Sequence, residues 1–216
     1  SMGGHRALAW RVACPDRVPG GVMVAGGVPA TAEEIALCSL QARSIRLDPS
    51  FRGGDYYGAA PGDGPWRGMS LARGIGQVSY RSEIELDQRF GRGHQGDEQP
   101  MDGGRYAIES YLEYHGEKLA HRFDANTYLT LSQAMNHHDV GRGRGGIPTA
   151  LQRSSGAVTI AGIVSDRLYP LRLQQELADL IPTAGAPTGI DSPAPPDGFL
   201  PEPEPVSPRI RPALDP

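Results

Sequence analysis

The sequence predicts an α/β fold whose sheet is interrupted by a block of helices. Two apolar runs read as buried strands: Val22-Met23-Val24, set between glycine-rich turns, and the longer AVTIAGIV at residues 157–164. Between them, over residues 70–139, apolar side chains recur at helical spacing in several pieces separated by glycine-rich joints. The second strand ends on Ser165-Asp166 and leads into a leucine-spaced helix, so strand and helix alternate again beyond the block.

Taken in order, the chain opens on Ser1-Met2-Gly3-Gly4, which reads as the second half of a G-x-S-x-G turn. Such a turn lifts a serine hydroxyl onto a sharp strand-to-helix bend. Residues 5–14 follow with helical spacing, and residues 18–25 hold the first strand. Thr31, with Glu34 three residues on, marks a capping box, and the helix it starts runs to Leu47 before Asp48-Pro49 stops it. Residues 51–68 form a Gly/Pro/Asp loop, after which helices are expected over 71–78, 106–122 and 126–136. A helical block between strand segments reads as a lid over a sheet, and residues 141–146, alternating glycine with arginine, form a flexible exit from it. The strand at 157–164 follows, then a helix over 170–180 that opens on proline at a first-turn position and carries Leu171, Leu173, Leu177 and Leu180. Residues 187–191 make a short, weak strand.

From Ser192 onward proline dominates, and 201–212 excludes a regular helix or central strand; this stretch is expected to be an extended, disordered tail. The expected division is therefore a sheet part at 1–66, a helical lid at 67–146, a return to the sheet at 147–191 carrying Asp166, and the tail at 192–216. Strand, lid, strand ending in aspartate, helix and weak strand make the second half of an α/β-hydrolase layout.

A chain of 216 residues, 38% hydrophobic, holds one substantial core plus an insertion. A net charge of −4 lacks the basic footprint of a nucleic-acid binder. Cys14 and Cys38 suggest neither a disulfide framework nor a zinc site, so a reducing cytoplasm is the expected compartment. No apolar run reaches the length of a membrane span, and no signal segment is evident. Side chains of the adjacent His137 and His138 point to different faces, which argues against a metal site there. Read alone, Ser1 is an ordinary terminal residue, Asp166 a helix cap and Arg73 a solvated helix residue.

Five segments give these residues roles. They are SMGGHRALAW at 1–10, SYRSEIELDQRFGR at 79–92, GGRYAIESYLEYHGEKLAHRFDANTYL at 103–129, AMNHHDVGRGRGG at 134–146 and SDRLYPLRLQQELADLIP at 165–182. In this order they resemble the homoserine O-acetyltransferases of the actinobacterial type. The resemblance implies the C-terminal part of an α/β-hydrolase fold with an inserted helical lid, the family's N-terminal strands being absent. It implies acetyl transfer from acetyl-CoA to the hydroxyl of L-homoserine through an acyl-serine, on the route to methionine, in a homodimer joined through the lid helices. Acetyl-CoA enters as a substrate, and no bound cofactor, metal, nucleic acid or membrane partner is implied. Ser1 matches the nucleophile, Asp166 the triad acid, and Met2 a backbone oxyanion donor. Arg73 and Asp197 match positions that hold the amino-acid substrate. Tyr80, two helical turns from Arg73 on the same face, is expected to line the same pocket.

One departure bears on catalysis. The family's Gly-His-Asp-Gly-Phe-Leu run here reads Pro195-Pro196-Asp197-Gly198-Phe199-Leu200, so Pro196 stands where the general base belongs. Proline has no side-chain nitrogen to take a proton from serine, and the second oxyanion donor belongs to a loop before the nucleophile turn. The expectation is a chain that does not transfer acyl groups by itself. With about three strands to cover, it is also expected to be partly molten in isolation. The alternatives are a homoserine O-succinyltransferase or esterase of the same fold, or a non-catalytic remnant that only dimerises.

Overall fold

The computed structural model describes residues 2–60 and 62–191. Ser1, Pro196, Asp197 and the proline-rich tail lie outside the described residues. In chain order the elements are α1 (Met2–Ala13), β1 (Gly20–Val24), α2 (Ala32–Leu47), α3 (Trp66–Ser79), α4 (Glu83–Arg89), β2 (His94–Gln95) and β3 (Arg105–Tyr106). They continue as α5 (Ala107–Ala120), α6 (Ala125–Asn136), α7 (Ile147–Leu151), β4 (Ala157–Ile163), α8 (Leu171–Leu180) and β5 (Thr188–Ile190). The chain divides into two compact units, one of residues 1–30 with 137–216, the other Thr31–Asn136.

The first unit is built on a parallel sheet of order β1-β4-β5, with Met23 opposite Ile160 and Ala161 opposite Thr188. β4 lies in the middle with Val158 and residues 160–163 buried, which is why it reads as a continuous apolar run instead of an alternating one. On one side Val158 and Ile160 join Leu8 and Val12 of α1, Met23 of β1, Leu151 of α7 and Leu177 of α8 in a single core. α8 comes very close to the sheet at Gly162, where a Cβ would sit 2.6 Å from Gln174 Oε1. Pro170 caps α8 from outside its first turn, one position earlier than the sequence suggested, because the preceding turn is already closed by Asp166.

The second unit is helical apart from the two-residue hairpin β2–β3. The Thr31 capping box forms as expected, with Glu34 N donating to Thr31 Oγ1 and Thr31 N donating to Glu34 Oε2. The unit starts at Thr31 and ends at Asn136, against the 67–146 expected for the lid. The reason is small side chains on α3. A Cβ at Gly68 would lie 2.7 Å from Ser44 O, and Ala72 is fully buried, so α3 lies directly on α2 and draws it into the helical unit. At the other boundary Val140 belongs to the core of the sheet unit. Ala42, Ile45, Phe51, Met69, Leu119 and Leu129 fill the helical core. α4 and the hairpin, which the sequence did not distinguish, occupy the segment between α3 and α5.

Candidate active site

In a parallel sheet the strands' C-terminal ends share one edge, and ligands bind there. Two described turns lie on that edge in the sheet unit, one after β1 and one after β4. After β1 the chain turns at Ala25, whose φ of 47° is unusual for a residue with a side chain. That conformation persists because Ala25 N still bonds Ala161 O and its methyl packs with Tyr169 and Leu173. Gln174 of α8 then holds the Gly26 carbonyl at 2.7 Å.

After β4 comes Asp166, only 3% exposed. Its Oδ1 accepts the backbone N–H groups of Leu168 and Tyr169, each at 2.8 Å, and its own N–H donates to Ile163 O. These bonds lock the carboxylate at the end of the central strand, the geometry required of a group that orients a neighbouring imidazole. β5 ends on the buried Ile190, and the exposed Asp191 follows it.

α1 starts at Met2, whose N–H is among the four that a helix leaves without an internal acceptor. Its first turn rests on β1: a Cβ at Gly4 would lie 3.4 Å from Met23 Cε. His5, on that turn, is 5% exposed and stacks face to face on His138, with ring centroids 4.4 Å apart and planes 9° from parallel. Burial, then the neighbouring His138, pushes the His5 pKa down to about 4, against an opposing hydrogen bond with the Gly27 backbone. Burial lowers His138 as well, with Asp139 acting the other way. Both imidazoles are therefore neutral near pH 7. The sequence held one signal for this: His5, Leu8 and Val12 fall on one helix face, and Leu8 and Val12 are core. Nothing in it marked His138 as the partner.

Arg73 and Tyr80 lie in the helical unit and are brought together. The Arg73 guanidinium carbon is 5.2 Å from the centre of the Tyr80 ring. Tyr80 caps the end of α3, and no described carboxylate forms an ion pair with Arg73. Nearby, Tyr128 donates to Gln41 Oε1 at 2.7 Å, and the buried Gln77 donates to Tyr111 at 2.6 Å. His115, against the Tyr111 ring, has its pKa lowered by burial and by Arg73. Among the described residues no group of His, Cys, Asp and Glu is arranged to hold a metal ion.

No family model matches the chain. Curated relatives do: over 215 residues it is 50% identical to the homoserine O-acetyltransferase of Mycobacterium leprae and 51% identical to that of Mycolicibacterium smegmatis, with 100% of this chain aligned. Along its whole length the chain is similar to homoserine O-acetyltransferases. It spans about half the length of these relatives, 56% of each. Among solved structures, a homoserine O-acetyltransferase from Bacillus anthracis superposes with a TM-score of 0.89 at 21% identity, covering 100% of this chain and 58% of that one. An acetylester hydrolase from Corynebacterium glutamicum reaches 0.79 at 24% identity, covering 97% and 57%. MGS-M2, an alpha/beta hydrolase enzyme from a deep-sea metagenome library, reaches 0.62 at 14% identity, covering 94% and 58%. The fold is thus that of the α/β-hydrolases, which hosts both transferases and esterases and does not by itself choose between them. Of the residues expected from the homoserine O-acetyltransferase pattern, Asp166 and Met2 fall in the sheet unit and Arg73 with Tyr80 in the helical unit.

Proposed function

We propose that this chain carries parts of a homoserine O-acetyltransferase site and that position 196 removes its own turnover. The observation that carries this is about 50% identity to curated homoserine O-acetyltransferases along the entire chain. In the reaction, Ser1 Oγ attacks the thioester carbonyl of acetyl-CoA, coenzyme A leaves as the thiol, and the acetyl group remains as a serine ester. The hydroxyl of L-homoserine then attacks that ester, releasing O-acetylhomoserine and restoring Ser1. The Met2 N–H faces the oxyanion of each tetrahedral intermediate. Arg73 receives the acceptor's carboxylate, with Tyr80 beside it and Asp197 as a further contact to the amino acid. Asp166 orients an imidazole and stabilises its cation but does not replace it as base. With Pro196 at the base position, roughly a 10⁴-fold or larger loss is expected.

The same reading includes a homodimer through the helical unit. It is supported by an apolar groove of about 770 Å³ along α3 and α5, lined by Leu71, Ile75, Val78 and Leu112. Leu71 is 59% exposed there, on a face that water disfavours. The unpaired thiols of Cys14 and Cys38 fit a reducing cytoplasm.

Two measurements on the same preparation test the proposal: calorimetric titration with L-homoserine, and thiol release from acetyl-CoA in its presence. Homoserine binding that Arg73→Met abolishes, with no thiol release, is expected. Homoserine-dependent thiol release would contradict the loss of turnover, and release from succinyl-CoA instead would reassign the donor.

A further inference from the structure

Arg73 belongs to an arrangement drawn from three helices. Its guanidinium carbon lies over the Tyr80 ring, and a guanidinium held by its face can offer its edge N–H groups to a planar anion. Tyr80 closes α3 with its N–H bonded to Gly76 O at 3.1 Å, and its ring folds back along the helix. A Cβ at Gly76 would meet the Tyr80 hydroxyl at 3.6 Å and Gln41 Nε2 at 3.5 Å, so phenol and amide flank one point on α3. Gln41, on α2, is 6% exposed, and its Oε1 is taken by the Tyr128 hydroxyl from α6. That bond fixes which end of the amide is turned toward Gly76, beside the Tyr80 hydroxyl. Burial first, then Tyr80, raises the Tyr128 pKa above the ordinary phenol range, with Arg73 acting in the opposite sense. Tyr128 therefore adds no negative charge that would compete for Arg73.

We propose that Tyr128 and Gln41 are positioning residues, which fix Tyr80 and, through its ring, hold the Arg73 guanidinium ready for a carboxylate-bearing acceptor. The inference rests on Arg73 being the carboxylate contact. Removing the Tyr128 hydroxyl leaves Gln41 Oε1 buried without its donor and releases the amide to rotate. The ring of Tyr128 remains, so the helices keep their packing while the amide beside Tyr80 is no longer held in one orientation. A carboxylate is the ligand this edge favours; the same molecule with a carboxamide offers no charge and loses the bidentate pair.

The test measures the heat of binding when the full 216-residue chain is titrated with L-homoserine and, separately, with its carboxamide. Wild type, Tyr128→Phe, Gln41→Met, the double variant and Arg73→Met are compared, with thermal midpoints recorded for each. The expected result is a homoserine-specific binding heat that Arg73→Met abolishes, with an affinity that Tyr128→Phe weakens by about tenfold, without loss of fold. Gln41→Met weakens it similarly, and the double variant is no worse than either single one, because both act through one bond. Gln41→Met also serves if Tyr128→Phe does not fold. Affinity within twofold of wild type in both single variants overturns the positioning role and leaves Arg73 as the carboxylate contact. A wild-type response that survives Arg73→Met, or no response at all, overturns the Arg73 assignment and the positioning role with it.

Discussion

Replacing His5 with phenylalanine isolates one titration inside the sheet unit. His5 has an ordinary pKa of 6.5 in the unfolded chain and about 4 in the fold, where burial and then His138 disfavour its cation. A histidine with a lowered folded pKa stabilises the native state fully above the unfolded value. Between pH 6.5 and 4 the unfolded chain binds a proton that the fold refuses, so stability falls as pH falls through that window. At roughly 1.4 kcal/mol per pH unit the full loss is about 3 kcal/mol. His138, lowered as well, contributes in the same direction, while the adjacent Asp139 carboxylate opposes its shift and Arg142 adds to it. The assay is urea unfolding between pH 7.5 and 4.5, followed by tryptophan fluorescence, for wild type and His5→Phe. Phenylalanine preserves the stack on His138 and removes the ionisable group, so the variant's midpoint should depend distinctly less on pH. An unchanged pH dependence, or a His5 ring resonance titrating near 6.5 in the folded chain, would refute the reasoning.

Two further substitutions probe one unit each. Arg11 is 1% exposed, and its guanidinium donates to Ser154 Oγ and to the carbonyls of Ser155 and Gly156, tying α1 to the turn that enters β4. Arg11→Met should lower stability by about 2–4 kcal/mol in urea unfolding, because it orphans those acceptors; a loss under about 0.5 kcal/mol would mean water replaces the guanidinium. Gly116 lets α5 meet α3, with a Cβ there only 2.7 Å from Ser70 O. Gly116→Ala should cost about 1–3 kcal/mol and reduce hydrogen-exchange protection in α3 and α5 while sparing β4; unchanged protection in those helices would contradict the close contact.

Local chemistry was legible in the sequence where a few neighbouring residues decide the outcome. Thr31 and Glu34 announce the start of α2, Asp48-Pro49 its end, and the apolar run at 157–163 the central strand. Packing partners were not legible, because they depend on which surfaces are small enough to touch. Gly68 reads as the end of a loop and Ala72 as an ordinary helix residue, yet α3 already starts at Trp66 and α2 lies on both, and this contact sets the unit's boundary at Thr31. The same holds for Arg11, a residue type that is mostly exposed, which the fold buries against three acceptors 143–145 residues away. The seven-residue spacing of Arg73 and Tyr80 foretold their meeting, though the contact is made by Tyr80 as the capping residue of α3. Asp166 is singled out by the family resemblance, at the end of a strand that the apolar run announces, and the two backbone donors that lock its carboxylate belong to a turn no pattern announced.

The consequence of Pro196 is tested most directly at Ser1 itself. The chain is incubated with acetyl-CoA, digested, and the peptide carrying Ser1 is mapped by mass spectrometry before and after hydroxylamine, which cleaves an ester and spares an N-terminal amide. No hydroxylamine-sensitive acetyl group on Ser1 is the predicted result. A stoichiometric, hydroxylamine-sensitive acetyl ester at Ser1 would show that the serine is activated without the family's histidine, and would contradict the account.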